Sequence, residues 1–436
     1  MSKSISSEKL LSHSSLSTRN KFSLFQISRV VLLGSLASLG LVVLINLFSS
    51  DRFSLTRPTD FAQDYAMGRA VLEGQDPYAS LETLTTKFGL DLWHHPCPHP
   101  PPFAIVMASL AWLPYQKAML VWLILAQLGL FLTLRFLFNL NSISLFVWFF
   151  ISLLWYPIHD DLAMGQIMVI VLALIVVGWK QLQRDQPIYA GLLIGLALSL
   201  KLIFWPLVVY FCIKRRFRFV AYVCGTFAVA NLSSALIIGF DRLTYYYLHV
   251  GSLVADFYKA SPFNFSMLSV GPRIFSGTRS TLASLLQSDP FVHAPELAFI
   301  TSAFLALLIS CPAFYFAVRC KEEERGFGAL LSLSIILSPT SWWFYFVLLL
   351  IPIKTAASLK GWFAKIVISC CLFATYIPLL VQPIFGVHVS AWAGLLMLCP
   401  LVAVCLMIGT LLSPELRSFC QERLSRRPSS WQELET

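Results

Sequence analysis

Charge is what this sequence has least of. Of 436 residues only 12% are Asp, Glu, Lys or Arg, against about 25% in ordinary soluble domains. So few charges cannot cover the surface of two or three soluble cores, and the remaining composition agrees. Hydrophobic residues make up 57% and aromatics 14%, with 35 Phe and 12 Trp, and mean hydropathy is +0.73. Most of the chain must therefore face lipid. No glycine-rich phosphate loop and no nucleotide-binding motif occurs, which excludes a soluble nucleotide as group donor. No internal repeat is present. Cysteine is nearly absent where a disulfide could form: of 10 Cys only Cys97 falls in a long extramembrane loop, so no external disulfide framework is expected. The others, among them Cys212, Cys224, Cys370, Cys371 and Cys405, sit in or beside apolar runs and read as small apolar packers.

What charge there is has a pattern. The net charge of +10 gathers in clusters between apolar runs: Lys214-Arg215-Arg216 with Arg218, Lys354 with Lys360 and Lys365, and Arg423 with Arg426 and Arg427. This is the positive-inside distribution of a membrane protein. No continuous basic stripe exists, so nucleic acid is not an expected partner. The expected fold is all-α, an integral membrane bundle of about twelve transmembrane helices. Its parts are a cytoplasmic polar tail over 1–26, a polytopic region over 27–412 and a cytoplasmic tail over 413–436. The first apolar run, Ile27 to Phe48, is too long for a cleaved signal and reads as a retained span.

After it, 49–117 forms a long first external loop with acidic bias and juxtamembrane helices. To keep the basic clusters inside, 103–113 must lie at the outer interface, and 188–200 and 202–213 must be short helices broken outside near Lys201. The turn 158–165, the stretch 240–295 and the turn Ser338–Ser341 then share that external face. Short, broken helices are tolerated at membrane depth only against protein or a wet cavity, so a cavity is expected there.

Several groups on this face can carry chemistry. Asp60 and Asp64 are four residues apart, hence on one side of a helix that Gly74 and Pro77 end. Two close carboxylates repel, which raises one pKa towards neutrality and supplies a base. The same spacing also suits a solvated amphipathic helix with an Asp favourable to its dipole. His94, His95, Cys97 and His99 lie in a proline-stiffened stretch ending at Pro102. Its extended backbone points successive side chains apart, so a rigid loop is favoured over a metal site, with the histidines available to a phosphate or sugar. Asp160 and Asp161 form an acidic turn before Gly165-Gln166. Lys201 stands alone among apolar residues, an expensive placement that marks a functional candidate, an anionic group such as a lipid phosphate being its natural partner. Snorkelling to the interface is the alternative. The segments 262–266 and 338–343 read first as turns and aromatic anchors.

Taken together, these residues resemble the polytopic GT-C type glycosyltransferases, and most closely glycosyltransferase family 87. That family holds polyprenyl-phosphate-mannose-dependent mannosyltransferases and related arabinofuranosyltransferases. The resemblance runs through Asp60-Phe61 with Tyr65, Gly74-Gln75-Asp76-Pro77-Tyr78, Pro100-Pro101-Pro102-Phe103, Pro114 and Trp122. It continues through Gly165-Gln166, Gly191-Leu192, Gly195-Leu196, Lys201 and Pro206, and closes with Asn264, Ser266, Ser338-Pro339 and Ser341-Trp342. It implies a GT-C bundle and inverting transfer of a mannose- or arabinofuranose-class sugar from a polyprenyl-phosphate donor to a glycan or glycolipid acceptor on the outer face. Membrane lipid is the surrounding partner and the cell (inner) membrane of a bacterium the expected location. No cofactor is implied; the donor is itself the lipid-linked sugar, and a divalent metal is not indicated.

The implied base maps to Asp60, with Asp64 beside it at a position where the family often shows an aromatic. Lys201, Arg57, His94, His95 and His99 are candidates for the donor phosphate, and Asp160, Asp161, Gln166 and Asn264 for phosphate or sugar. After Ser341-Trp342, where the family often has His, this chain has Phe344 and Tyr345. The competing reading is a secondary transporter or lipid-linked-sugar flippase. It calls for inverted halves and carboxylates at the bilayer centre, whereas the acids here are external.

Overall fold

The computed structural model describes residues 24–48, 59–80, 83, 84, 87, 97–278 and 286–425. Helix α1 (Leu24–Leu47) is followed by α2 (Asp60–Leu72), which begins where extended Thr59 accepts the Ala62 N–H at 3.3 Å, an N-cap. Pro101 and Pro102 occupy the first turn of α3 (Pro101–Ala111), the one place in a helix where a missing N–H costs nothing. Then come α4 (Tyr115–Phe138), α5 (Ser142–Ser152), α6 (Tyr156–Met164), α7 (Met168–Gln183) and α8 (Pro187–Leu200). Lys201 is extended, and a 3₁₀ turn (Leu202–Phe204) leads into α9 (Trp205–Ile213) and α10 (Phe217–Ile238).

The segment 240–295 carries α11 (Phe240–Tyr245), α12 (Gly251–Tyr258) and α13 (Val270–Phe275). It is followed by α14 (Glu296–Arg319) and α15 (Glu323–Leu337). A 3₁₀ stretch (Trp343–Leu349) continues into α16 (Leu350–Ala357), and α17 (Trp362–Phe373), α18 (Ile377–Phe385), α19 (Ala391–Leu396) and α20 (Cys399–Ser425) complete the chain. Strand is confined, among the described residues, to Gln287–Ser288 paired in parallel with His388–Val389, and to a bridge between Thr278 and Ser288.

This is an all-α membrane protein. Among the described residues, six helices are long and apolar enough to cross a bilayer: Arg29–Leu47, Tyr115–Phe138, Phe217–Ile238, Glu296–Arg319, Trp362–Phe385 and Cys399–Phe419. The pair α5–α6, bent by 77°, makes a seventh candidate, and shorter apolar helices include α3, α7 and α8. Large apolar side chains cover the outward faces; Phe299, Ile300, Phe304 and Leu307 on α14 and Leu236 on α10 are all more than half exposed. Water would penalise such faces, and hydrocarbon does not. Inside, α8 packs on α7 and α10, α4 on α7, and α15 on α20.

Two expectations change. The stretch 158–165 is the second arm of the bent pair, not a simple turn: Pro157 sits in the first turn of α6, and Gly165 ends that helix with φ +70°. Nor is α2 a solvated helix. Residues 61–68 and Ala70 are buried, and at Gly68 a Cβ would lie 2.6 Å from the Met107 carbonyl, so α2 and α3 meet backbone to backbone. The described elements of the 49–117 stretch are thus folded into the protein.

Gly165 is the tightest of these joints. Its left-handed φ disfavours any L side chain, and a Cβ there would meet Phe61 Cβ at 2.6 Å. We predict that Gly165→Ala lowers stability by roughly 1–3 kcal/mol from the backbone conformation alone. The check is thermal unfolding in detergent; an unchanged midpoint would show that the α6–α7 joint is looser than described.

Candidate active site

The site is built outward from the first residue of α2. Asp60 is partly open to solvent, and its Oδ2 accepts a hydrogen bond from Gln166 Nε2 at 2.6 Å. The Gln166 side reaches there because Gly165 reverses the chain, with the Gln166 N–H returning to the Asp161 carbonyl at 2.8 Å. Trp122 Nε1 donates to the Gly165 carbonyl at 2.7 Å, fixing the turn to α4. On the α2 side, Thr59 shares a hydrogen bond with the Tyr115 hydroxyl at 3.2 Å, and Phe61 packs between Tyr115 and Trp122. A carboxylate at a membrane surface is thereby held by three helices.

Asp64, one turn further along α2, is the buried member of the pair. It is 1% exposed, with Oδ1 3.3 Å from Nε2 of the equally buried His99. Burial pushes its pKa well above the ordinary carboxylate range, the Asp60 charge raises it further, and the Lys201 charge opposes the shift. His99 stacks on Phe103 at 4.2 Å. The segment carrying it is tied down twice: the Tyr78 hydroxyl donates to the His99 carbonyl at 3.2 Å and the Tyr246 hydroxyl to the Pro98 carbonyl at 3.0 Å. Cys97 is buried against Met67 Sδ at 3.3 Å, and burial pushes its thiol up to about 12. It is a packing group.

The acidic pair divides its work. Asp160 accepts from the Tyr156 hydroxyl at 3.2 Å and lies within reach of the Asp60 charge. Asp161 is wholly buried and accepts the Met168 and Val169 N–H groups at 2.9 and 3.3 Å. It therefore caps α7 and is spent on the fold. Asn264 is spent likewise: its amide donates to the Tyr258 and Pro339 carbonyls and accepts from Ser266 and Ser341 N–H. It stitches the 258–266 loop to 339–341 and is 0% exposed.

Lys201 lies at the break between α8 and the following 3₁₀ turn, 6% exposed. Its ammonium donates to the Tyr345 hydroxyl at 3.4 Å and lies 5.2 Å from the Tyr345 ring and 6.0 Å from the Phe344 ring. No carboxylate forms an ion pair with it among the described residues. The charges of Asp60 and Lys201 both reach the buried Asp64 carboxyl, with opposite sign.

The structure thus brings together Asp60, Asp64, His99, Asp160, Gln166 and Lys201, while Asp161 and Asn264 support them from behind. Arg57, His94 and His95 lie outside the described residues. Sequence reasoning passed over Arg273, which is fully buried and donates to the carbonyls of Ser261, Pro262 and Asn264 at 2.6–2.8 Å. Its only signal was an arginine in an otherwise apolar stretch. Tyr156, Tyr78 and Tyr246 also escaped, because a tyrosine in a membrane chain first reads as an interface anchor.

A model of Glycosyltransferase family 87 matches residues 98–339, more than half of the chain. The match includes His99, Gln166 and Lys201 and stops short of Asp60 and Tyr345. The chain is similar to a polyprenol-phosphate-mannose-dependent alpha-(1-2)-phosphatidylinositol mannoside mannosyltransferase of Mycobacterium tuberculosis (strain ATCC 25618 / H37Rv). The two are 25% identical over 319 residues, 68% of this chain and 70% of that protein. A protein of the same description from Mycolicibacterium smegmatis (strain ATCC 700084 / mc(2)155) is 29% identical over 199 residues, 41% of this chain and 44% of that one. No solved structure matches.

The Asp64 environment yields a pH prediction. Burial raises its carboxyl well above the ordinary aspartate range in the folded chain, so over that interval the folded state holds a proton that the unfolded state has released. The stability this contributes is fully present below about pH 4 and is lost as pH rises through the raised native value. Asp64→Asn should therefore flatten the fall of the thermal midpoint with pH over that window. Parallel pH profiles for the two proteins would refute it.

Proposed function

The chain belongs to glycosyltransferase family 87, and from that membership we propose that it moves a mannosyl residue from a polyprenyl-phosphate donor to an acceptor hydroxyl, with Asp60 as general base. The observation that carries the reading is the juxtaposition just described. A partly open carboxylate is held by a glutamine amide, and the buried ammonium whose charge reaches the neighbouring Asp64 carboxyl has no carboxylate ion partner among the described residues. The descriptions of both mycobacterial relatives, a polyprenol-phosphate-mannose donor and a phosphatidylinositol mannoside acceptor, favour mannose over arabinofuranose and a glycolipid acceptor over a free glycan.

The chemistry follows from the geometry. With Oδ2 occupied by Gln166, Asp60 has Oδ1 left to accept the proton of the acceptor hydroxyl. That oxygen attacks the anomeric carbon, the bond from that carbon to the phosphate oxygen breaks, and polyprenyl phosphate departs with the electron pair, inverting the configuration. Lys201 neutralises charge growing on the departing phosphate in a site shielded from water, where such stabilisation is large. Asp160 and the Tyr156 hydroxyl supply groups able to bind sugar hydroxyls beside Asp60. The long apolar helices hold the prenyl chain and bring donor and acceptor together.

We place this site on the extracytoplasmic face of a GT-C type bundle, with both termini cytoplasmic. The basic clusters at 214–218 and 354–365 support that orientation. Counting the long helices, the bent α5–α6 pair, α7, α8, α9, α15 and the Trp343–Ala357 stretch as one crossing each supports about twelve spans.

Asp60→Asn should fold and insert normally while transfer from polyprenyl-phosphate mannose falls by roughly 10²–10⁴, the usual contribution of a placed general base. Full activity in the Asn variant would remove Asp60 from the role. Gln166→Leu should leave the donor KM near its wild-type value and lower kcat by roughly tenfold to a hundredfold, since a charge-assisted hydrogen bond is worth roughly 1.5–3 kcal/mol. The steady-state split of kcat from KM tests it.

A further inference from the structure

Hydrogen-bond direction around Lys201 leads to a residue that the mechanism above does not use. An ammonium has three donors and no acceptor, so in the 3.4 Å contact with Tyr345 the lysine must donate and the phenol oxygen must accept. The Tyr345 O–H is therefore turned away from Lys201 and needs an acceptor of its own. No hydrogen bond donated by this hydroxyl is found among the described residues, nor any for the two remaining Lys201 N–H groups. Both side chains are buried, Lys201 at 6% and Tyr345 at 4% exposure. Three strong donors thus lie buried without an oxygen to receive them among the described residues, a state that costs free energy unless a ligand supplies the acceptors.

The surroundings say what would satisfy them. The rings of Phe344 and Tyr345 flank the ammonium at 6.0 and 5.2 Å, stabilising its charge without supplying a counter-charge. A neutral hydroxyl or amide ligand offers too few acceptors. A tetrahedral anion with several oxygens matches the count.

We propose that Lys201 and Tyr345 form a two-residue clamp on a phosphate group, in which the Tyr345 hydroxyl donates directly to a phosphate oxygen while its ring and oxygen hold the ammonium in place. This deepens the proposed function, since the phosphate is that of the prenyl donor and of the prenyl phosphate it becomes. Tyr345 is then a binding group in its own right.

The test is binding of farnesyl phosphate to the full-length protein in detergent, with farnesol as the control lacking phosphate. Tyr345→Phe keeps the ring beside the ammonium and removes only the hydroxyl. It should weaken farnesyl phosphate binding by roughly tenfold to a hundredfold, the worth of a hydrogen bond to a charged group, and leave farnesol binding unchanged. The double variant Lys201→Met with Tyr345→Phe should lose less than the product of the two single losses, because the donors serve one anion. A Phe variant that binds farnesyl phosphate like wild type, or that loses farnesol equally, overturns the clamp, and sugar transfer by the wild type would survive that result. A wild type that neither transfers sugar nor binds farnesyl phosphate overturns the proposed function, and the clamp with it.

Discussion

The hydrogen bond from Gln166 to Asp60 is the contact on which the rest of the site depends. It joins the first residue of α2 to the turn between α6 and α7, two points 106 residues apart in sequence. Everything around it serves to fix one end or the other. Thr59 and Tyr115 hold the start of α2, Trp122 holds Gly165, and Asp161 caps α7 so that the turn cannot unwind. A short polar side chain at the edge of a bilayer would otherwise sample many rotamers. Here its orientation is set by the protein's own contacts, the kind of preorganisation that the proposed role as base calls for.

A second constraint concerns charge in a low-dielectric setting. Asp64, Lys201 and Arg273 are all nearly inaccessible, and each is resolved differently. Arg273 donates to three backbone carbonyls through Nη2 alone, leaving Nε and Nη1 without an acceptor among the described residues. Asp64 faces a buried imidazole. Lys201 has only a phenol and two aromatic faces. The first is a splice that shapes the 261–264 loop. The last leaves two ammonium donors without an acceptor among the described residues.

The sequence made some of this legible and hid the rest, for identifiable reasons. The all-α membrane class followed from composition, because hydrocarbon tolerates a surface that water rejects. The break at Lys201 followed from a charge that no single straight span could carry. The special status of Asp60 followed from its place just past the first span. The roles of Asp161 and Asn264 were not readable: both are polar residues in plausible positions, and only the backbone N–H groups they accept show that they serve the fold. The burial of α2 was hidden too, since its composition is that of a surface helix, and only the close approach at Gly68 reveals that α3 covers it. Tyr345 could be noticed as a residue type and not as a donor, because hydrogen-bond direction needs a partner in space.

The two phenol hydroxyls of Tyr78 and Tyr246, fastened to consecutive carbonyls at His99 and Pro98, have a kinetic consequence. Lifting Pro98 and His99 would break both bonds and unstack His99 from Phe103 at once, so opening there must cross one combined barrier in place of three small ones.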